Sequence, residues 1–188
     1  NKFIKKIILI TDFIYNLDFI VFHKEKLIQI NLLSEESKLT YKVAIDFVNK
    51  YCKDNICILS NSDIYFDKSI SLINNVCLNN KFFGLSRYEH NNYDIGKFAA
   101  HFSQDSWIFK SPVNIDTNRL NFPFGEIGCD GKIAYEFHKD KFIVSNPCMT
   151  IKSFHVHKSN HRTYKKKNQL PKPYIWMFAC RINEISIL

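Results

Sequence analysis

The sequence predicts a mixed α/β layer fold in a single domain spanning residues 1–188. Three observations lead there. Short apolar runs rich in β-branched residues alternate with helix-like segments through the first half of the chain. One stretch from Leu39 keeps its apolar residues on a single helical face. With 188 residues, 46% apolar and 15% aromatic, the chain has material for a substantial core and is too hydrophobic to be disordered.

Taken in order, Lys2–Thr11 reads as a strand entering the core and ending at Asp12, and Lys26–Leu33 as a second strand. Ser34 to Ser37 forms a polar turn ahead of the helix, whose predicted face is Leu39, Val43, Phe47 and Tyr51, joined by Ala44 and Val48. Asp46 and Lys50 form an i,i+4 pair elsewhere on its surface. Ile56–Ser60 has the continuous apolar character of a fully buried central strand, a pattern that a buried helix segment also fits. Ser69–Val76 reads as a short helix, Phe82–Glu89 as a strand, His90–Gly96 as a loop, and Asp105–Lys110 as another strand. Ser111–Pro123 is an irregular connection. Gly125, Gly128 and Gly131 then lead into a helix over Asp130–Lys139. Phe142–Asn146 and Ile151–His157 are the last predicted strands. From Ser159 the tail is basic and aromatic, with Pro171 and Pro173 blocking regular structure.

Composition narrows the function classes. No apolar run reaches membrane-spanning length, and no charged leader precedes a short apolar segment. The six cysteines are scattered without a C-x-x-C pair, which is poor spacing for zinc or a disulfide scaffold. Reduced, mostly buried thiols in a cytoplasmic protein are the expectation. The formal charge of +8 implies an anionic partner: nucleic acid, a membrane surface or a nucleotide diphosphate. Part of that charge lies in Lys165, Lys166 and Lys167, a run that is commonly a solvated loop.

The chemistry-bearing residues fall at element ends. Asn61, Ser62 and Asp63 follow the Ile56–Ser60 run, at the strand edge where open α/β sheets bind ligands. On an extended backbone Asn61 and Asp63 point the same way and can share one cation, Mg²⁺ or Mn²⁺ given oxygen ligands. The same three residues also suit a plain turn, with Asp63 capping the next helix. Asp130 stands where a glycine-rich loop becomes a helix, a place for an N-cap or for a general base held at a site rim. His155 and His157 share a strand face suited to metal or phosphate, or to a plain exposed strand, and Lys158 and Arg162 strengthen the phosphate option. Arg87 and Glu89 alternate on one strand, as an ion pair or as the lining of a cleft. Asp105 and Trp107 likewise share a face, suited to sugar contact, although Trp is more often core.

The order of these pieces carries more than each alone. Asn61 to Asp67 (NSDIYFD), Leu85 to Glu89 (LSRYE), Ser103 to Phe109 (SQDSWIF), Gly128 to Tyr135 (GCDGKIAY) and Ile151 to Lys158 (IKSFHVHK) follow in series. Leu39-Thr40-Tyr41, Arg162-Thr163-Tyr164 and Pro173-Tyr174 extend the pattern from about Ile7 to Tyr174. The series resembles glycosyltransferase-like proteins of the GT-A fold, related to glycosyltransferase family 2 and found in large DNA viruses and some bacteria. The resemblance implies a three-layer α/β/α domain with a mixed central sheet. It also implies a metal-assisted transferase, inverting, moving a sugar from a nucleotide-sugar donor to a glycan, protein or lipid acceptor, with Mn²⁺ or Mg²⁺ as cofactor.

By the same resemblance Asp63 is a metal ligand, Asn61 a weaker contact on the donor diphosphate, and Asp130 the base that deprotonates the acceptor. His155 and His157 complete the metal or diphosphate site, Lys158 and Arg162 bind the donor diphosphate, and Arg87, Glu89, Asp105 and Trp107 line the acceptor side. Two departures stand out. The strand and helix that usually open such domains are missing, since Lys2–Thr11 resembles the second strand, so the chain reads as a truncated member or a fragment. Loss of the first Asp of the D-x-D motif removes one anionic ligand and predicts weaker metal binding. The charge also fits a basic nucleic-acid-binding module without catalysis, and the missing first strand keeps open a degenerate, non-catalytic sugar-binding relative.

Overall fold

The computed structural model describes residues 2–11, 14–18, 24–32, 38–89, 103–156 and 169–187. Its strands are β1 (Ile7–Thr11), β2 (Leu27–Asn31), β3 (Ile56–Ser60), β4 (Ile64–Phe66), β5 (Lys81–Leu85), β6 (Tyr88–Glu89), β7 (Ser106–Lys110), β8 (Ile143–Ser145) and β9 (Ser153–His155). Its α-helices are α1 (Tyr41–Tyr51) and α2 (Cys129–Lys139). This is a mixed α/β protein, as its alternating segments predict.

The strands form more than one sheet. β3, β7, β5 and β8 lie in that order in a four-stranded sheet, in which β7 runs antiparallel to both neighbours and β5 pairs parallel with β8. β4, β9 and β6 make a three-stranded sheet, while β1 and β2 pair parallel in a sheet of their own. The predicted Phe82–Glu89 strand is therefore two strands. The chain breaks at Ser86 and Arg87, and β6 joins a different sheet from β5.

Period-two alternation divides the core between the two faces of the four-stranded sheet. Phe82, Trp107 and Phe109 pack with Tyr41 and Ile45 of α1 and with Ile133 and Phe137 of α2. The Phe137 ring stacks on Phe82 at 3.7 Å between centroids. On the opposite face Phe83, Leu85 and Ile108 pack against Ile70, Ile73 and Ile185, which come from 3-10 segments over Lys68–Asn75 and Ile182–Ile187. Each fully buried side chain of this size contributes about 1.5–3 kcal/mol of transfer free energy.

Several local expectations need correction. Helix α1 starts at Tyr41 with Thr40 as its cap, the Thr40 hydroxyl accepting from the Val43 N–H. Its buried residues are Tyr41, Ala44, Ile45 and Val48, an i, i+3, i+4, i+7 set. Tyr51, placed on the core face by periodicity, is 62% exposed. The surface ion pair is Lys42 with Asp46 at 2.7 Å, not Asp46 with Lys50, whose ammonium lies over the Tyr51 ring instead. Ser69–Val76 is a 3-10 helix over Lys68–Asn75, capped by Asp67 rather than Asp63. The predicted loop at His90–Gly96 and the basic run Lys165 to Lys167 lie outside the described residues.

Helix α2 starts at Cys129, so Asp130 is its second residue and not its cap. The capping position falls to Gly128, at φ +90°, with no side-chain cap hydrogen bond. A side chain at Gly128 would be strained by that backbone and would also strike the Tyr174 ring, 2.7 Å from the position of an added Cβ. This frees the Asp130 carboxylate to face elsewhere.

Candidate functional site

The four-stranded and three-stranded sheets are joined by crossings that leave from the carboxyl ends of β3 and β5. Polar and charged side chains gather at these crossings, on the edge of the sheet where α/β proteins bind ligands. After β3 the chain turns at once, and the Ile64 N–H donates to the Asn61 carbonyl at 3.3 Å. Asn61 and Asp63 are therefore not on one extended face, and they take different partners. The Asn61 amide donates to Asp105 Oδ1 at 2.8 Å. Asp63 is carried toward β9, where Ile64 pairs with His155 and the Val156 N–H donates to the Asp63 carbonyl at 2.8 Å.

This pairing places His155 Nε2 2.9 Å from Asp63 Oδ2. The other ring nitrogen, Nδ1, lies 3.3 Å from Glu89 Oε2, because β6 pairs parallel with β9 and sets Glu89 opposite His155. Glu89 Oε1 in turn accepts from Arg87 Nε at 3.4 Å. Arg87 Nη1 donates to both oxygens of Asp105 at 3.0 Å each. Asn61, Asp105, Arg87, Glu89, His155 and Asp63 thus form one continuous polar chain.

Burial decides how these groups behave. Asp105 is 7% exposed, and burial pushes its pKa upward despite the opposing pull of Arg87. Burial acts to lower the pKa of Arg87, but Asp105 and Glu89 together outweigh it and hold the guanidinium charged.

Asp130 approaches from α2. Its Oδ2 accepts the Gln104 backbone N–H at 3.4 Å, and its Oδ1 accepts the Cys129 thiol at 3.2 Å. Burial and the neighbouring charge of Asp105 push its pKa to about 7. A carboxylate tuned to that range can take a proton near neutral pH.

Trp107 has gone to the core. It is 1% exposed, with Tyr41 edge-on at 5.1 Å and Phe124 at 5.7 Å between ring centroids, and it presents no surface to a sugar. His157, Lys158 and Arg162 lie outside the described residues. The expected burial of the cysteines holds for two of the six: Cys129 and Cys148 are buried, Cys52, Cys57 and Cys180 are half-buried, and Cys77 is exposed.

Sequence reasoning missed Tyr41, Cys129 and Gln104 as companions of Asp130. The adjacency of Cys129 to Asp130 was the one available signal, and nothing local gave the thiol a direction. The buried cluster of Ser86 and Asn146 was also missed. Asn146 donates to the Ser86 hydroxyl at 2.9 Å and accepts the Ser86 N–H at 3.1 Å. It satisfies the backbone where β5 ends, so that Arg87 is delivered to the site.

Among the described residues, no group of three or more His, Cys, Asp or Glu is arranged to hold a metal ion. The geometry of His155 explains this, since Asp63 and Glu89 face opposite nitrogens of the ring and cannot reach one ion together with it. Asp63 Oδ2 and His155 Nε2 are hydrogen-bonded to each other at 2.9 Å. No protein-family model, curated protein or solved structure matches the chain.

Proposed function

We propose that the protein is a nucleotide-sugar-dependent glycosyltransferase with a GT-A-like three-layer arrangement, metal-assisted and inverting. One observation carries the reading. Two acidic groups flank Asp105 at one sheet edge: the Asp63–His155 pair on one side, and Asp130, with its pKa raised to about 7, on the other. The first is suited to cation and diphosphate, the second to proton transfer.

Asp63 and His155 would hold Mn²⁺ or Mg²⁺, with Glu89 fixing the ring of His155 from its other nitrogen. When bound, the ion neutralises the diphosphate leaving group. Asp130 takes the proton of the acceptor hydroxyl while that oxygen attacks the anomeric carbon from the face opposite the diphosphate. The bond from the anomeric carbon to the diphosphate oxygen breaks, and its electron pair leaves with the nucleoside diphosphate. Arg87 and Asp105 keep the floor between the two centres rigid and charged.

The test is release of nucleoside diphosphate from a panel of nucleotide sugars in the presence of Mn²⁺ and acceptor glycans. Asp130→Asn should retain donor binding and lose about 10²–10⁴-fold in turnover, the usual contribution of a positioned base. Parent-level transfer by Asp130→Asn would remove Asp130 from the mechanism.

A further inference from the structure

We propose that Cys129 is a positioning residue for Asp130, its thiol fixing the carboxylate from behind and its own direction set by Tyr41. The inference deepens the reading of Asp130 as the base and rests on it. Cys129 is 4% exposed, and its Sγ lies 3.2 Å from Asp130 Oδ1. The Tyr41 hydroxyl donates to the same sulfur at 3.7 Å. Tyr41 cannot readily swing away. It is fully buried, with its ring stacked on Phe124 at 3.9 Å and edge-on to Trp107 at 5.1 Å.

The two carboxylate oxygens are therefore held unequally. Oδ1 is backed by a thiol inside the core. Among the described residues, Oδ2 has the long contact to the Gln104 N–H, at 3.4 Å, and is the oxygen left to accept a proton. The thiol itself is not a candidate nucleophile. Burial, reinforced by the charge of Asp130, pushes its pKa well up, so it stays protonated and serves as a donor. A donor on Oδ1 favours the ionised carboxylate, against the burial and the Asp105 charge that disfavour it. The groups that bear on Asp130 are Cys129 on its own helix, Asp105 and the Gln104 N–H ahead of β7, and Arg87 between β5 and β6. Tyr41 of α1 acts through the thiol.

The test is a carbon-detected NMR titration of the Asp130 carboxyl in the parent, Cys129→Ala, Cys129→Ser and Tyr41→Phe, with the resonance assigned by its loss in Asp130→Asn. Cys129→Ala should move the titration upward by about half a pH unit or more, because a donor to the charged form is gone. Cys129→Ser keeps a donor and should stay near the parent. Tyr41→Phe keeps every ring contact and should give a smaller upward move. Equal titration in the parent and Cys129→Ala would overturn the proposal. Should the alanine variant not fold, an unmoved titration in Tyr41→Phe does so. The readout needs neither donor nor acceptor, so failure to find sugar transfer would remove the proposed function and leave this result standing.

Discussion

His155 Nε2 lies 2.9 Å from Asp63 Oδ2, although 92 residues separate them in the chain. Antiparallel pairing of β4 with β9 makes the contact, and Glu89 holds the far side of the ring through β6. In the proposed transferase this is the cation edge. Asp63→Ala and His155→Ala should each abolish Mn²⁺-dependent nucleotide binding. Glu89→Gln should weaken it by about 10–100-fold, the usual effect of losing a group that orients a ligating histidine. Calorimetric titration of Mn²⁺ with a nucleoside diphosphate separates these. Parent affinity in Glu89→Gln would deny Glu89 its orienting role.

Asp130 makes stability depend on pH. Its folded pKa of about 7 lies above the ordinary 3.8, so the folded state binds an extra proton between those values. The stability this contributes is present at low pH and is lost as pH rises through about 7. Asp130→Asn has no such group and should gain on the parent between pH 4 and pH 8. Allowing for the partial exposure of Asp130, the gain is about 1–3 kcal/mol. Urea unfolding across that range reads it, and curves that stay parallel would contradict it.

Arg87→Ala should strand the buried Asp105 carboxylate, leaving it the Asn61 amide once the Nη1 contact to both its oxygens is gone. The cost should be about 2–3 kcal/mol, less than for a fully buried pair because Arg87 is 33% exposed. The loss should be larger at pH 8 than at pH 5, because a carboxyl with raised pKa is tolerated when protonated and penalised once ionised. A loss independent of pH would point to packing alone.

The face of α1 is tested by a pair of variants. Ile45 is fully buried, so Ile45→Ala should cost about 2–5 kcal/mol. Tyr51 is 62% exposed, and Tyr51→Ala should stay within about 1 kcal/mol. The reverse order, read from urea midpoints, would restore the face that periodicity suggests.

Much of the fold was legible because its signals are local. The apolar run Ile56–Ser60 becomes β3 with the predicted bounds, but at the edge of its sheet and only half-buried, where the run predicts a central and fully buried strand. What could not be read depends on partners distant in sequence. Nothing near Ser86 and Arg87 announces that one strand-like stretch divides between two sheets. The break is held by Asn146, 60 residues later. In the same way Asn61 and Asp63 alternate like strand residues, but the turn closed by Ile64 sends one to Asp105 and the other to His155. The resemblance assigns Asp63 and His155 to the metal, and Arg87, Glu89 and Asp105 to the acceptor side. The contacts among them, and the burial of Trp107, required the packing.

The most direct test of the transferase reading is thermal unfolding with a panel of nucleoside diphosphates, with and without Mn²⁺. A ligand that binds the folded chain at about 100 times its Kd adds about 2.7 kcal/mol, which is about 5–10 °C for a domain of this size. The proposed function predicts a rise of that order for at least one nucleoside diphosphate, present with Mn²⁺ and absent in Asp63→Ala. No rise with any nucleotide, together with oligonucleotide binding that weakens steeply with salt, would contradict it and favour a nucleic-acid-binding module instead.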